Sequence, residues 1–262
     1  MSPVWVPDPD LEPDLSHLVT EDDEPVDNRF SERQQRLLPH LLFSSWPQGK
    51  PFEALSDVGL FYALDEPAVA PDFMLSVGVK PRPLTSDTKD RSYLIWVYGK
   101  PPDLCIEVVS NLKGRELGEK MELYARIRVT YYVVYDPFLL LGDRKVRAFC
   151  LNGGRYTEIL VTDPFYLDEL GLGLTLWDGV IEDTEGCWLR FVDKEGRMLL
   201  TGEEALVQER ARVERERARA DESELKAAES IREVARKLLA QGLDRSAVLS
   251  ATGLPEAELD HL

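Results

Sequence analysis

Glu107 stands alone in an apolar run, Leu104-Cys105-Ile106-Glu107-Val108-Val109, and Lys120 follows in a stretch with helical spacing. A strand through these residues puts Leu104, Ile106 and Val108 on one face and Cys105, Glu107 and Val109 on the other. Both faces are then apolar apart from one carboxylate. Burying it is costly unless a cation or a metal answers it. Leu117, Lys120 and Tyr124 are spaced three and four apart with Met121 adjoining, which sets the ammonium on the helix stripe that faces the sheet. A buried carboxylate with an in-facing lysine marks a functional-site candidate. The same pattern also suits a structural ion pair, or a lysine whose stem lies on apolar surface while its head reaches water.

Asp72 follows Pro71 and opens Phe73-Met74-Leu75. Alone it is an ordinary turn or strand-end carboxylate. Beside a strand glutamate it becomes half of a pair of hard oxygen ligands, which suits Mg²⁺ or Mn²⁺ and leaves coordination positions for water. A nearby lysine completes a set for phosphodiester hydrolysis. The metal would activate water and neutralise charge on the phosphate, and the ammonium would orient the water or stabilise the transition state.

Several elements must position these groups. Ser31 with Gln34 reads as a capping box, and Leu37, Leu38, Leu41 and Leu42 continue an amphipathic helix over about 31–43. Val58–Leu64, Phe73–Val77, Tyr93–Tyr98 and Leu104–Val109 are β-branched or aromatic runs parted by Pro, Gly and Asp, as short strands are. A helix over about 115–127 and the apolar Tyr131–Tyr135 then predict a βαβ-like crossover. From Val146 to about Leu200, turns such as Asn152-Gly153-Gly154 predict hairpins completing or extending the sheet.

From Glu203 to about Leu239 there is no Pro or Gly, and Leu206, Val213, Ala220, Ala227 and Val234 recur every seven residues. This is a long helix, either a weak coiled coil or a solitary helix held by side-chain charge pairs. After Gly242, two short helical segments part at Gly253-Leu254-Pro255. The domain boundaries are thus 1–30, an acidic Pro-rich segment extended over the domain or partly disordered; 31–202, one α/β domain; and 203–262, a helical tail.

The net charge of −17 would argue against a nucleic-acid partner if it were evenly spread. It is not: residues 1–30 hold nine acids and one Arg, whereas residues 80–130 hold ten Lys or Arg against seven acids. The segment around Glu107 is locally basic, as a phosphate-facing surface is, although a solvated mix of surface charges reads the same way. Cys105, Cys150 and Cys187, like the three histidines, are scattered without zinc-ligand spacing, and a reducing cytoplasm fits them. Neither a signal peptide nor an apolar run of eighteen residues is present, so no membrane association is expected.

The ordered set Pro71-Asp72, then Pro102-Asp103 running through Glu107 to Ser110-Asn111, then Gly118-Glu119-Lys120 with Tyr124-Ala125-Arg126, then Tyr131 to Asp136-Pro137 resembles the Uma-two endonucleases of bacteria, within the PD-(D/E)XK nuclease superfamily. Thr20-Glu21-Asp22-Asp23-Glu24-Pro25 resembles a recurrent start in that family, and the likeness covers about residues 15–200. It implies a restriction-endonuclease-like α/β fold: a mixed, mostly antiparallel sheet flanked by helices. It further implies Asp72 as the first metal-binding acid, Glu107 as the second and the backbone carbonyl of Val108 as a third ligand. The superfamily usually places its lysine two residues after the second acid, where this chain has Val109; Lys120 resembles the migrated lysine of this branch, and Lys113 is a second candidate. Glu32 or Gln35 on the first helix would occupy an assisting position. The segment Leu239–Leu243 with Ala251–Leu254 looks similar to tails of mobile-element nucleases and remotely to a helix-turn-helix, with a plain helical hairpin as the simpler reading.

The expectation is a metal-dependent endonuclease using Mg²⁺ or Mn²⁺ on nucleic acid, DNA first, as a homodimer joined through the tail. The alternative is a nuclease-like module without catalysis that binds DNA or protein. Divalent-metal binding separates the two.

Overall fold

The computed structural model describes residues 28–46, 49–83, 85, 90–111 and 115–259. The acidic segment with Thr20–Pro25, and Lys113, lie outside the described residues. The chain divides into two compact units, Met1–Gly202 and Glu203–Leu262.

In the first unit, helix α1 spans Arg29–Ser45. Its cap is Asn28 rather than the expected Ser31: the Asn28 side chain accepts from the N–H groups of Phe30 at 3.0 Å and Ser31 at 2.9 Å. Gln34 is not free to close a capping box. It is buried and clasps the backbone of Leu189, donating to its carbonyl at 2.9 Å and accepting from its N–H at 3.0 Å. Pro39 lies inside the helix, where a proline costs about 3 kcal/mol, partly because it leaves the carbonyl four residues back without a donor. That carbonyl is Gln35's, and the Ser56 hydroxyl donates to it at 2.8 Å.

Six strands form the main sheet: β1 (Phe52–Leu55), β3 (Phe73–Val77), β5 (Leu104–Val108), β6 (Tyr131–Tyr135), β7 (Val146–Asn152) and β8 (Arg155–Ile159), side by side in that order. Only β5 and β6 run parallel, and helix α3 (Glu119–Ile127) connects them. The other neighbours are antiparallel. The Asn152-Gly153-Gly154 turn is a tight hairpin, because both glycines take positive φ (+56° and +86°) as such a turn demands.

Two expectations from the sequence change here. The run Tyr93–Tyr98 divides into β4 (Tyr93–Leu94), paired in parallel with the short β2 (Leu60–Phe61), and one helical turn, α2 (Ile95–Tyr98), closed by Gly99 at φ +82°. The rings of Tyr93 and Tyr98 stack at 4.1 Å, which an extended strand, rising about 3.3 Å per residue, would hold apart. The chain after Phe165 also leaves the main sheet. β9 (Phe165–Leu167), β10 (Leu172–Ile181) and β11 (Thr184–Asp193) form a sheet of their own.

That second sheet and α1 cover one face of the main sheet. Leu174, Trp188, Leu189 and Phe191 pack in one core with Leu38, Phe73, Leu104 and Ile106. On the other face, Met74, Cys105, Val109, Tyr132 and Val134 pack with Tyr124 and Ile127 of α3. Every residue of β5 is therefore buried.

In the second unit, α4 runs Gly202–Ala240 as one 39-residue helix, followed by α5 (Arg245–Thr252) and α6 (Glu256–Leu259). Asp244 caps α5 by accepting from Ala247 N–H at 2.7 Å. Ala235 and Val248 are buried beneath Leu238, Leu239, Leu249 and Leu254. Charge pairs one turn apart, Glu222 with Lys226 and Glu233 with Lys237, line α4. No helix among the described residues is long and apolar enough to cross a membrane.

Candidate active site

Glu107 lies on the α3 side of β5 and has no solvent-exposed surface. Each of its oxygens has its own donor: the Lys120 ammonium reaches Oε2 at 2.8 Å and the Tyr124 hydroxyl reaches Oε1 at 2.5 Å. Lys120 and Tyr124 are four apart on α3, so one helical face delivers both. Burial drives the Lys120 ammonium toward neutrality, but the charge and hydrogen bond of Glu107, with Asp72 and Glu116 behind them, more than offset this, and its pKa is raised. Burial, reinforced by the Glu107 charge, pushes the Tyr124 hydroxyl well above its ordinary value, so Tyr124 remains a neutral donor.

Asp72 enters from the neighbouring strand. β3 and β5 pair Phe73 with Ile106, and one further step in that register sets Asp72 opposite Glu107. Asp72 Oδ2 accepts from the Val108 N–H at 2.6 Å and Oδ1 from the Gln35 side-chain amide at 3.1 Å. Gln35 is itself fixed by Ser56 at its backbone carbonyl, so the proline in α1 and the position of Asp72 are linked through one residue. Glu32 is engaged on the surface with Arg36 at 2.5 Å.

The residues singled out from sequence thus converge as follows. Glu107 and Lys120 are in direct contact, Asp72 binds the peptide N–H next to Glu107, and Asp72 contributes to the electrostatic field at Lys120. Val109 points into the apolar core, so the position two residues after Glu107 offers no charge. Among the described residues there is no cluster of three or more His, Cys, Asp or Glu side chains able to hold a metal. The side-chain donor set is two acids, with backbone oxygen as the remaining hard donor.

Two participants escaped the sequence reading. From sequence Tyr124 reads only as part of the apolar stripe, although its spacing from Lys120 is legible. Glu116, four residues before Lys120, is buried, and its Oε2 has no hydrogen-bond partner among the described residues. Burial raises its pKa above the ordinary 4.5, against the opposing effects of its own backbone N–H and of Lys120 and with a further push from Glu107. A raised carboxyl pKa favours the fold below about pH 4.5, and that contribution is lost as pH rises through the folded-state value. The uncharged isostere Glu116→Gln should therefore melt higher than the natural chain near pH 7, by the few degrees that correspond to about 1 kcal/mol, with the gain vanishing below about pH 4.5. Thermal denaturation across pH measures it; a variant no more stable at pH 7 would show that the carboxyl is accommodated.

The sequence matches the family described as "Uma2: Putative restriction endonuclease" over residues 19–177, more than half of its 262 residues. Residues 228–262 match a second description, "Rpn/YhgA-like nuclease family, C-terminal HTH domain", over the end of α4, α5 and α6, in favour of the remote helix-turn-helix likeness over a plain helical hairpin. A solved structure described as "a putative nuclease belonging to DUF820 from Anabaena variabilis ATCC 29413" is similar, with 11% identity, 52% of this chain and 69% of that chain covered, and a TM-score of 0.36. No curated protein matches. The chain belongs to the Uma2 family, with its restriction-endonuclease-like fold.

Proposed function

We propose that the Asp72, Glu107 and Lys120 site hydrolyses nucleic-acid phosphodiesters, DNA in the first instance, with Mg²⁺ or Mn²⁺. The observation that carries this reading is a buried strand carboxylate, paired to a helix lysine, with a second carboxylate bonded to the adjacent peptide N–H. Asp72, Glu107 and the Val108 carbonyl are hard oxygen donors of the kind such ions require, and they would hold the ion. When bound, it would supply Lewis-acid activation of water and neutralise charge on the phosphate. Gln35 and the Val108 N–H hold Asp72 in one orientation, Tyr124 does the same for Glu107, and Lys120 presents a persistent positive charge beside both acids. An ammonium there would orient water by hydrogen bonding and stabilise negative charge on a phosphate. The helix-turn-helix match supports nucleic acid as the partner, and a reducing cytoplasm suits the three free thiols.

A second reading, a module without catalysis, draws support from the same contacts. Both Glu107 oxygens and both Asp72 oxygens already accept hydrogen bonds. Titration with Mn²⁺ followed by melting temperature separates the two, since an ion that binds the fold must raise it. A saturable rise that disappears in Asp72→Asn supports the metal site, and no rise supports the sealed ion pair.

The domain boundaries, 31–202 for the nuclease domain and 203–262 for the tail, and a homodimer belong to the same reading. Along α4, Leu206, Val213, Ile231 and Val234 are exposed in the single chain, between 40% and 60%, at or near the heptad positions. Alanine at two seam positions buries little area, so the Ile231 end should provide most of the stabilisation. Light scattering is expected to give a dimer for the full chain and a monomer for one ending at Gly202; identical monomeric masses would leave α4 a solitary charged helix.

A further inference from the structure

Glu116 is the buried group for which the proposed chemistry has no use. It sits in the turn before α3, its backbone carbonyl accepting the Tyr132 hydroxyl at 2.9 Å, so its place is fixed from the sheet. It lies four residues before Lys120 and is 5% exposed. Its Oε2 has no donor among the described residues, whereas Asp136, the other buried acid nearby, is satisfied by the N–H groups of Leu140 at 2.9 Å and Leu141 at 2.6 Å. An acceptor kept dry and unpaired costs stability and returns nothing in this state of the molecule.

Lys120 is the cation whose charge acts on it. The ammonium now rests on Glu107 Oε2, one of the two oxygens this acid could offer a divalent cation, and an ammonium and a divalent ion at one oxygen repel each other. We propose that Glu116 is a positioning residue, a second carboxylate to which the Lys120 ammonium moves when Glu107 turns to ligate a divalent cation. Both acids act on one lysine, Glu107 from the strand through a hydrogen bond and Glu116 from the turn before α3 through its charge. The exchange leaves every charge paired: Glu107 with the cation, Lys120 with Glu116. It also leaves the ammonium beside the cation, where it can face a phosphate. The inference rests on the metal-dependent reading above.

The test is calorimetric titration of the full-length protein with Mn²⁺, in the natural chain and in Glu116→Gln, Glu116→Asp, Lys120→Met and the double variant Glu116→Gln/Lys120→Met. Glu116→Gln should weaken Mn²⁺ binding about tenfold or more, the scale on which loss of a partner to the ligand shell acts. Glu116→Asp should recover part of that loss, because it restores an acceptor. In the Lys120→Met background the Glu116→Gln loss should vanish, since no ammonium remains to be moved. A merely structural residue would show the same loss in both backgrounds. Mn²⁺ affinity unchanged in Glu116→Gln, or reduced equally with and without Lys120, overturns the role of Glu116 and leaves the metal site standing. Absence of Mn²⁺ binding in the natural chain overturns the metal reading and this inference together.

Discussion

Glu107→Gln and Asp72→Asn are each expected to lower DNA cleavage in Mg²⁺ or Mn²⁺ by at least about a thousandfold, the upper range for removing one preorganised electrostatic contact from a reacting centre. Each substitution removes a negative charge from the ion's donor set at almost no change in volume. Their structural consequences differ. An asparagine at 72 can turn its carbonyl to the Val108 N–H and its amide to Gln35, which can rotate its own amide to accept, so the contacts at 2.6 and 3.1 Å survive in kind. A glutamine at 107 can accept from Lys120 through its carbonyl and donate its amide to the Tyr124 oxygen, but the Tyr124 hydroxyl proton then loses its acceptor and the Lys120 charge its partner. Asp72→Asn is thus the cleaner probe, with near-natural melting expected. Cleavage on a plasmid, with Mn²⁺ titration alongside, measures the effect; undiminished cutting by both variants would assign the activity to another site or a contaminant.

Lys120→Met is expected to destabilise the fold by about 3 kcal/mol at neutral pH, the lower part of the range for breaking a buried ion pair. The low end applies because the lysine side chain is 32% exposed and Tyr124 still donates to Glu107. The loss should be largely absent in Glu107→Gln/Lys120→Met, where no charge is left unpaired, and added Mn²⁺ should restore stability to the single variant by serving Glu107 in place of the ammonium. The pH dependence has a definite sign. The Lys120 pKa is raised in the fold, so its contribution is complete below the ordinary 10.5 and is lost only as pH rises through the higher folded value. Between pH 6 and 9 the difference between the natural chain and Lys120→Met should therefore not decline through this lysine. Denaturant unfolding at several pH values measures it, and a destabilisation under 1 kcal/mol would mean that solvent already compensates the pair.

The elements carrying the site were legible in the sequence because each has a local signature. β5 showed as an apolar run with one carboxylate, α3 as a stripe containing Lys120, and β6 as a five-residue run buried on both faces. Their connection as a crossover followed from order alone, since strand, helix and strand in that order favour a parallel pair. Side-chain alternation and helical spacing are short-range properties, so the sequence alone aims Glu107 and Lys120 at one another.

What distant residues do to one another was not legible. Ser31 and Gln34 spell a capping box, yet Gln34 is committed to the backbone of Leu189, and Asn28 takes the cap. Tyr93–Tyr98 has strand composition, yet it divides into a two-residue strand and a helical turn, with its first and last rings stacked. β9, β10 and β11 alternate as main-sheet strands would, and only packing against α1 and the first core makes them a separate layer. At the site, nothing local announces that Asp72 would bond the peptide beside Glu107, that Gln35, fixed through Ser56, would hold Asp72, or that Glu116 Oε2 would be buried with no partner among the described residues. The sequence determined which charged groups had to be answered inside the protein, because desolvation is a property of the burial pattern. The tertiary structure decided which group answers each, because that depends on where distant segments meet.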